Sequence, residues 1–194
     1  MIQQIFSNYL YSLITPPNRE EILLSKDISV EDVDVGKVQW IQNCQVKVEP
    51  IDPAHISSLL TPAVQIFYNE LELKSRLELD IELISAWKNT YTKGCYQEIH
   101  DHLHTDENAD ISGCIFLDDF HLDASHFFLY NRHCSEISAS WGKIMEEMEL
   151  PFKSHVIIPK AGDIIFFPSY MLHGVTPHRM EEPRTTIAFN LRFI

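Results

Sequence analysis

The chain has 194 residues, of which 45% are apolar and 22% charged. It is long enough for one domain with a full core and too hydrophobic to be disordered. A formal net charge of −13, with no clustered run of Lys and Arg, argues against a phosphate-binding surface, so nucleic acid is set aside as the main partner. No apolar run approaches the roughly 20 residues that span a bilayer. The N-terminus lacks a basic segment leading into a long apolar one, so neither a membrane anchor nor a signal peptide is expected. The four cysteines, Cys44, Cys95, Cys114 and Cys134, form no CxxC pair and read as reduced thiols in a cytoplasmic protein.

Along the chain, residues 1–50 offer little pattern beyond a break at Pro16-Pro17-Asn18 and a short strand signal at Val46-Lys47-Val48. Asp52-Pro53 reads as a helix cap followed by proline at the first helical position, with Ile56, Leu59 and Leu60 as an apolar face. Thr61-Pro62 repeats the start signal before Val64, Phe67, Tyr68 and Leu71, so one or two helices are predicted over 53–75. From Leu77 the period changes to two: Leu77, Leu79, Ile81 and Leu83 alternate with acidic residues as on a half-buried strand. Short strand-like runs follow at 86–91, 96–102, 111–117, 126–130, 154–158, 163–167, 172–176 and 184–193. They are interrupted by a helix over 136–149 carrying Ile137, Trp141, Ile144, Met145 and Met148. Helices first and strands after predict a mainly β, α+β fold. It would be a double-stranded β-helix (jelly roll) flanked by N-terminal helices. A single domain over 1–194 is expected, with 1–76 as helical or extended support and 77–194 as the core.

The densest chemistry lies in Gln97-Glu98-Ile99-His100-Asp101-His102-Leu103-His104-Thr105-Asp106. Residues i and i+2 of a strand share a face, so His100 with His102, or His104 with Asp106, can reach one metal ion, whereas Asp101 points away. A non-haem iron site needs three facial ligands and open positions. His173, in a distant strand, supplies the third if the strands are neighbours. The histidines at 55, 121, 126, 133, 155 and 178 read as ordinary surface or half-buried residues. Arg184 opens the run Arg-Thr-Thr-Ile-Ala-Phe-Asn, and its planar fork suits a carboxylate, with the Thr186 hydroxyl on the same face. The competing reading is a surface ion pair with Glu181 or Glu182. Gly162-Asp163 reads as a turn into a buried strand, and the aromatics Trp87, Phe116, Phe127, Phe128, Phe166, Phe167 and Phe189 as core, with walls of the pocket as the alternative for some of them.

Taken together, the following residues resemble the 2-oxoglutarate/Fe(II) oxygenases of bacterial and phage type, a branch near the prolyl-hydroxylase-like enzymes. They are Trp87 to Gly94, Gln97-x-x-His100-x-His102, Ser112-Gly113, Pro159-x-x-Gly162-Asp163, Phe167-Pro168-Ser169, His173-Gly174-Val175, and Arg184-x-Thr186 leading into Phe189-Asn190. The resemblance covers about residues 85–194. It implies Fe(II) held by His100, His102 and His173, and 2-oxoglutarate as cosubstrate with its distal carboxylate on Arg184 and Thr186. It also implies O₂ and a small-molecule or peptide substrate, with succinate and CO₂ released. The first ligand pair has an alternative. Counting from Gly94 favours His100 and His102, whereas counting back from Ser112 favours His104 and Asp106. Loops vary in length more than strands, which favours His100 and His102. The rival class is a cupin-like metal-binding jelly roll, an isomerase, thiol dioxygenase or non-catalytic binding module. Arg184 discriminates, because that class gives it no cosubstrate to hold.

Overall fold

Strands account for most of the regular structure in a computed structural model that describes residues 11–28, 30, 46–75, 80–103, 108–150 and 153–194. In chain order the elements are β1 (Ser12–Ile14), α1 (Arg19–Leu24), β2 (Lys47–Ile51), α2 (Pro53–Ser75), β3 (Ile81–Tyr91), β4 (Gln97–His100) and β5 (Ile111–Phe116). They continue with β6 (Phe127–Tyr130), α3 (Ala139–Glu147), β7 (Ser154–Val156), β8 (Ile164–Pro168), β9 (His173–Val175) and β10 (Arg184–Phe193). Six strands form one sheet in the order β1-β8-β5-β10-β3-β2, and four form a second in the order β4-β9-β6-β7. Their pairings are antiparallel throughout. The mainly β fold is the one expected.

The period of two explains how the larger sheet serves two cores. Ile187, Phe189 and Leu191 of β10 join Ile164 and Phe166 of β8, and Ile111 and Ile115 of β5, in one apolar cluster. Against this face lies α2, whose Ile56, Leu60, Ala63 and Phe67 recur at helical spacing and are all buried. Phe67 stacks on Phe166 with ring centroids 4.6 Å apart. The intervening residues point to the other face. There Ile165 and Phe167 of β8 and Cys114 and Phe116 of β5 meet Phe127, Leu129 and Val175 from the smaller sheet in a second cluster.

Local chemistry sets several element ends. Asp52 accepts from the Ala54 N–H at 2.9 Å and caps α2. Pro62 does not split the helix, which runs unbroken from Pro53 to Ser75. The Thr61 hydroxyl instead donates back to the Ser57 carbonyl at 2.8 Å. Gly162 adopts φ +86° at the turn into β8, a conformation L side chains avoid. In β9 a Cβ at Gly174 would lie 2.9 Å from the Phe128 ring and 3.1 Å from the Gln97 carbonyl, so glycine lets β9 seat between β4 and β6.

Other details differ from the sequence reading. The runs around 81–83 and 86–91 are one continuous β3, while residues 76–79 lie outside the described residues. β1 and α1 carry no periodic signal because three and six residues are too few to show one. β1 and β2 nevertheless pair with β8 and β3 at the two edges of the larger sheet. The apolar residues of α3 do not form core: Trp141 is 62% exposed, with Ile144 and Met148 exposed as well. Helical spacing defines a face but cannot supply the surface that would cover it. Among the described residues no helix is long and apolar enough to cross a membrane.

Candidate active site

The inner face of the larger sheet turns polar where β3 and β10 run side by side. Trp87, Asn89 and Tyr91 of β3 pair in register with Ala188, Thr186 and Arg184 of β10. All six line a narrow cavity between the two sheets.

His100, His102 and His173 converge on the same cavity. β4 and β9 are neighbours, with His100 paired to His173. One ligand nitrogen from each of the three histidines lies within 4.8 Å of the other two. Ring centroids are 4.2 Å apart for His100 and His173, 5.0 Å for His102 and His173, and 5.4 Å for His100 and His102. The expected i, i+2 relation brings His100 and His102 together, although β4 ends at His100. The His102 N–H leaves the ladder and donates to the Ser169 carbonyl at 2.9 Å. Asp101 points away, as expected, and pairs with Arg132. His104 and Asp106, the alternative first pair, lie outside the described residues.

Each ring nitrogen has a defined task. Nδ1 of His100 donates to the Glu98 carbonyl at 2.7 Å, and Nδ1 of His173 to the Met171 carbonyl at 3.0 Å. A carbonyl only accepts, so the proton sits on Nδ1 and the Nε2 lone pair stays available. Burial lowers the His100 pKa to about 4, with the neighbouring His102 adding to the effect. Burial, followed by the influence of His100 and His102, holds His173 well below the ordinary imidazole value. Both rings are therefore neutral at physiological pH, the state in which imidazole ligates a metal. Phe127 and Phe167 wall the His173 ring at centroid distances of 5.5 and 4.8 Å, and the Trp87 ring lies 5.9 Å from His102.

Arg184 is buried, with 7% of its surface exposed, and makes no salt bridge among the described residues. Glu181, offered as a surface partner, pairs instead with Lys93. The guanidinium lies 5.6 Å from the Tyr91 ring and 5.7 Å from the Phe116 ring, and donates to the Ser125 hydroxyl at 3.3 Å. A desolvated cation flanked by rings and one hydroxyl lacks its counter-charge, which an anionic ligand would provide. Thr186 is buried two residues away on the same face. Between them and the histidines, Asn89 is 2% exposed and its side-chain oxygen has no hydrogen-bond partner among the described residues. An orphan buried amide is costly unless a ligand or water completes it. The donor set, the unpaired cation and the open amide all fit a metal with a dicarboxylate beside it.

Three of these features went unread in the sequence. Trp87 belongs to the aromatics that wall the pocket rather than to the core, and Asn89 and Tyr91, which share its parity on β3, join it there. Ser125 carried no signal. Nor did His178, which is 2% exposed and so fully buried rather than at the surface or half-buried. Its Nδ1 accepts from the Ser125 N–H at 3.0 Å and its Nε2–H donates to the Glu182 carbonyl at 2.7 Å, which places Ser125 under Arg184.

Comparison with known structures agrees with this architecture. The chain is similar to a prolyl-4-hydroxylase from Pseudomonas putida at 15% identity and TM-score 0.59, over 95% of this chain and 93% of that one. It is similar to HygX from Streptomyces hygroscopicus, solved with nickel, 2-oxoglutarate and hygromycin B bound, at 14% identity and TM-score 0.58, over 93% and 82% of the two chains. EctD from S. alaskensis in its apoform aligns at 12% identity and TM-score 0.61, over 94% and 72%. At these identities the likeness is one of fold. No curated protein matches the chain. Residues 85–190 match the model of a family described as "Putative 2OG-Fe(II) oxygenase". That stretch is more than half of the 194 residues and spans all three histidines and Arg184, and the chain belongs to this family of 2-oxoglutarate- and iron(II)-dependent oxygenases.

Proposed function

We propose that His100, His102 and His173 hold the iron, and that Arg184 with Thr186 holds the distal carboxylate of 2-oxoglutarate. One observation carries this reading: three histidines converge in a cavity whose wall also carries a buried guanidinium with no carboxylate partner among the described residues. The two groups are set apart along β3, since Trp87 flanks His102 and Tyr91 flanks Arg184. Four residues of strand span roughly 13 Å, and the side chains of both groups reach into the cavity between those positions. A cupin-like site without such a cosubstrate leaves Arg184 buried to no purpose.

With O₂, iron and 2-oxoglutarate supply the oxidising chemistry of the family, and the cosubstrate leaves as succinate and CO₂. The chain's own residues do the rest. His100 and His173 arrive neutral, so no proton has to leave them before they ligate. Arg184 fixes one end of the cosubstrate by a charge-assisted fork, and the aromatic wall keeps water from the reacting end. The substrate is a small molecule or a peptide, and the net charge of −13 favours a neutral or cationic one. Free thiols at Cys95, Cys114 and Cys134 support a cytoplasmic location. The edge strands β1 and β2 support a single domain over the whole chain.

Metal analysis of purified variants tests the ligand set. Replacing His100, His102 or His173 by Ala should abolish iron binding, with His104→Ala weakening it modestly. Loss of iron in His104→Ala and Asp106→Ala, but not in His100→Ala and His102→Ala, would move the first pair into the following segment.

A further inference from the structure

The three imidazoles differ in what anchors them. His100 and His173 each donate Nδ1–H to a backbone carbonyl two residues earlier. His102 has side chains in that place: its Nδ1 lies 2.8 Å from the Asn190 carboxamide oxygen and 2.8 Å from the Ser112 hydroxyl. Asn190 stands on the inner face of β10, directly across from Ser112 in β5. The Ser112 hydroxyl donates to the same Asn190 oxygen at 2.9 Å and lies 3.0 Å from the Ser169 hydroxyl. The Asn190 amide nitrogen donates to the Ser85 hydroxyl at 3.3 Å, which holds the carboxamide with its oxygen toward the ring. Ser112, Ser169 and Asn190 are each no more than 2% exposed.

With the amide oriented as it stands, the cluster favours one arrangement. Ser112 gives its proton to Asn190, so what faces His102 Nδ1 is a carbonyl oxygen and a hydroxyl lone pair. Nδ1 must therefore carry the proton, and the Nε2 lone pair is left for a metal. Turning the amide over would present N–H to Nδ1, force the proton onto Nε2 and close that ligand position.

We propose that Asn190, held by Ser112 and Ser85, is a positioning residue that fixes the tautomer and the aim of His102. The proposal rests on His102 being a ligand. Its chemical content is the choice of a neutral amide: Asn190 directs the ring without adding charge. Removing an outer partner of a metal-bound histidine lowers metal affinity by about 10- to 100-fold. Asn190→Leu keeps the volume and removes the acceptor. Asn190→Asp keeps an acceptor and should rescue the tautomer. Ser112→Ala, a smaller change, serves if the leucine variant does not fold.

The experiment has two readouts on one set of proteins. Long-range proton–nitrogen spectra of metal-free, ¹⁵N-histidine-labelled protein report which nitrogen of His102 is protonated. Titration with Co(II) reports affinity. Wild type and Asn190→Asp should show His102 as a single Nδ1–H tautomer. Asn190→Leu should show a tautomer mixture at His102 alone, with Co(II) affinity lower by about 10- to 100-fold. An unchanged tautomer and an affinity within twofold of wild type in Asn190→Leu would overturn the proposal. So would equal losses in the leucine and aspartate variants, the mark of a merely structural role. His102→Ala with undiminished Co(II) affinity would instead overturn the ligand assignment beneath it.

Discussion

β10 presents two surfaces of opposite character along one strand. Ile187, Phe189 and Leu191 enter the apolar layer under α2, whereas Arg184, Thr186 and Asn190 face the cavity between the sheets. Both sets are buried, so exposure does not separate them. Polarity does. On the helix side burial is favourable in itself. On the cavity side each buried polar group must be hydrogen-bonded to a neighbour or held for a ligand. Asn190 is satisfied by Ser112 and Ser85, whereas among the described residues Arg184 has no carboxylate partner and the Asn89 oxygen has no donor. The first surface holds the fold together, and the second is the one proposed to bind.

Substitutions can break that division. Phe166→Ala, on the helix side, removes a ring stacked on Phe67 and set edge-on to Phe189. It should lower stability by about 3–5 kcal/mol in chemical denaturation, the usual cost of such a cavity, while the folded fraction keeps its metal affinity. A matching loss of metal affinity would mean the two surfaces are not independent. On the cavity side the equivalent probe is pH. Burial puts the folded pKa of His100 at about 4 against an ordinary 6.5. Above pH 6.5 both states are neutral there and the group makes no difference. As pH falls from 6.5 toward 4, the unfolded chain takes up a proton that the folded one refuses. Metal-free wild type should then lose stability relative to His100→Asn, by about 3 kcal/mol at the full shift. Parallel pH profiles for the two proteins would show that His100 is not desolvated. The smallest effect concerns Cys114, whose thiol burial pushes up to about 11. Brief alkylation at pH 8, read by mass spectrometry, should modify the less buried Cys134 first; the reverse order would mean the cavity is open to solvent.

Much of this was legible from spacing alone. Short strand-like runs punctuated by Gly, Pro, Asn and Asp located β5, β6, β8, β9 and β10 to within a residue or two, because turn residues mark where each strand stops. The pairing of His100 with His102 followed from alternation along a strand. What alternation could not show is which neighbour a face meets. Trp141 and Ile144 define a helical stripe, but a stripe does not reveal whether anything covers it, and here both are exposed. Asn89 and Tyr91 were passed over because a polar residue on a strand reads as solvent-facing until the opposite sheet is in place. Ser125 and His178 act through loop geometry, which leaves no periodic trace. The planar fork of Arg184 suggests a carboxylate partner, but its burial, which excludes the surface ion pair, is a property of three strands and not of one.

The most direct test of the division between the two surfaces is calorimetric titration of 2-oxoglutarate into anaerobic, Fe(II)-loaded protein, wild type against Arg184→Ala. A charge-assisted hydrogen bond contributes roughly 1.5–3 kcal/mol, so loss of a two-bond fork should raise the dissociation constant by about one to four decades. Iron content and thermal stability should change little. Equal binding by the two proteins would place the carboxylate anchor elsewhere and leave the burial of Arg184 without a function; no binding by wild type at millimolar cosubstrate would contradict the cosubstrate site altogether.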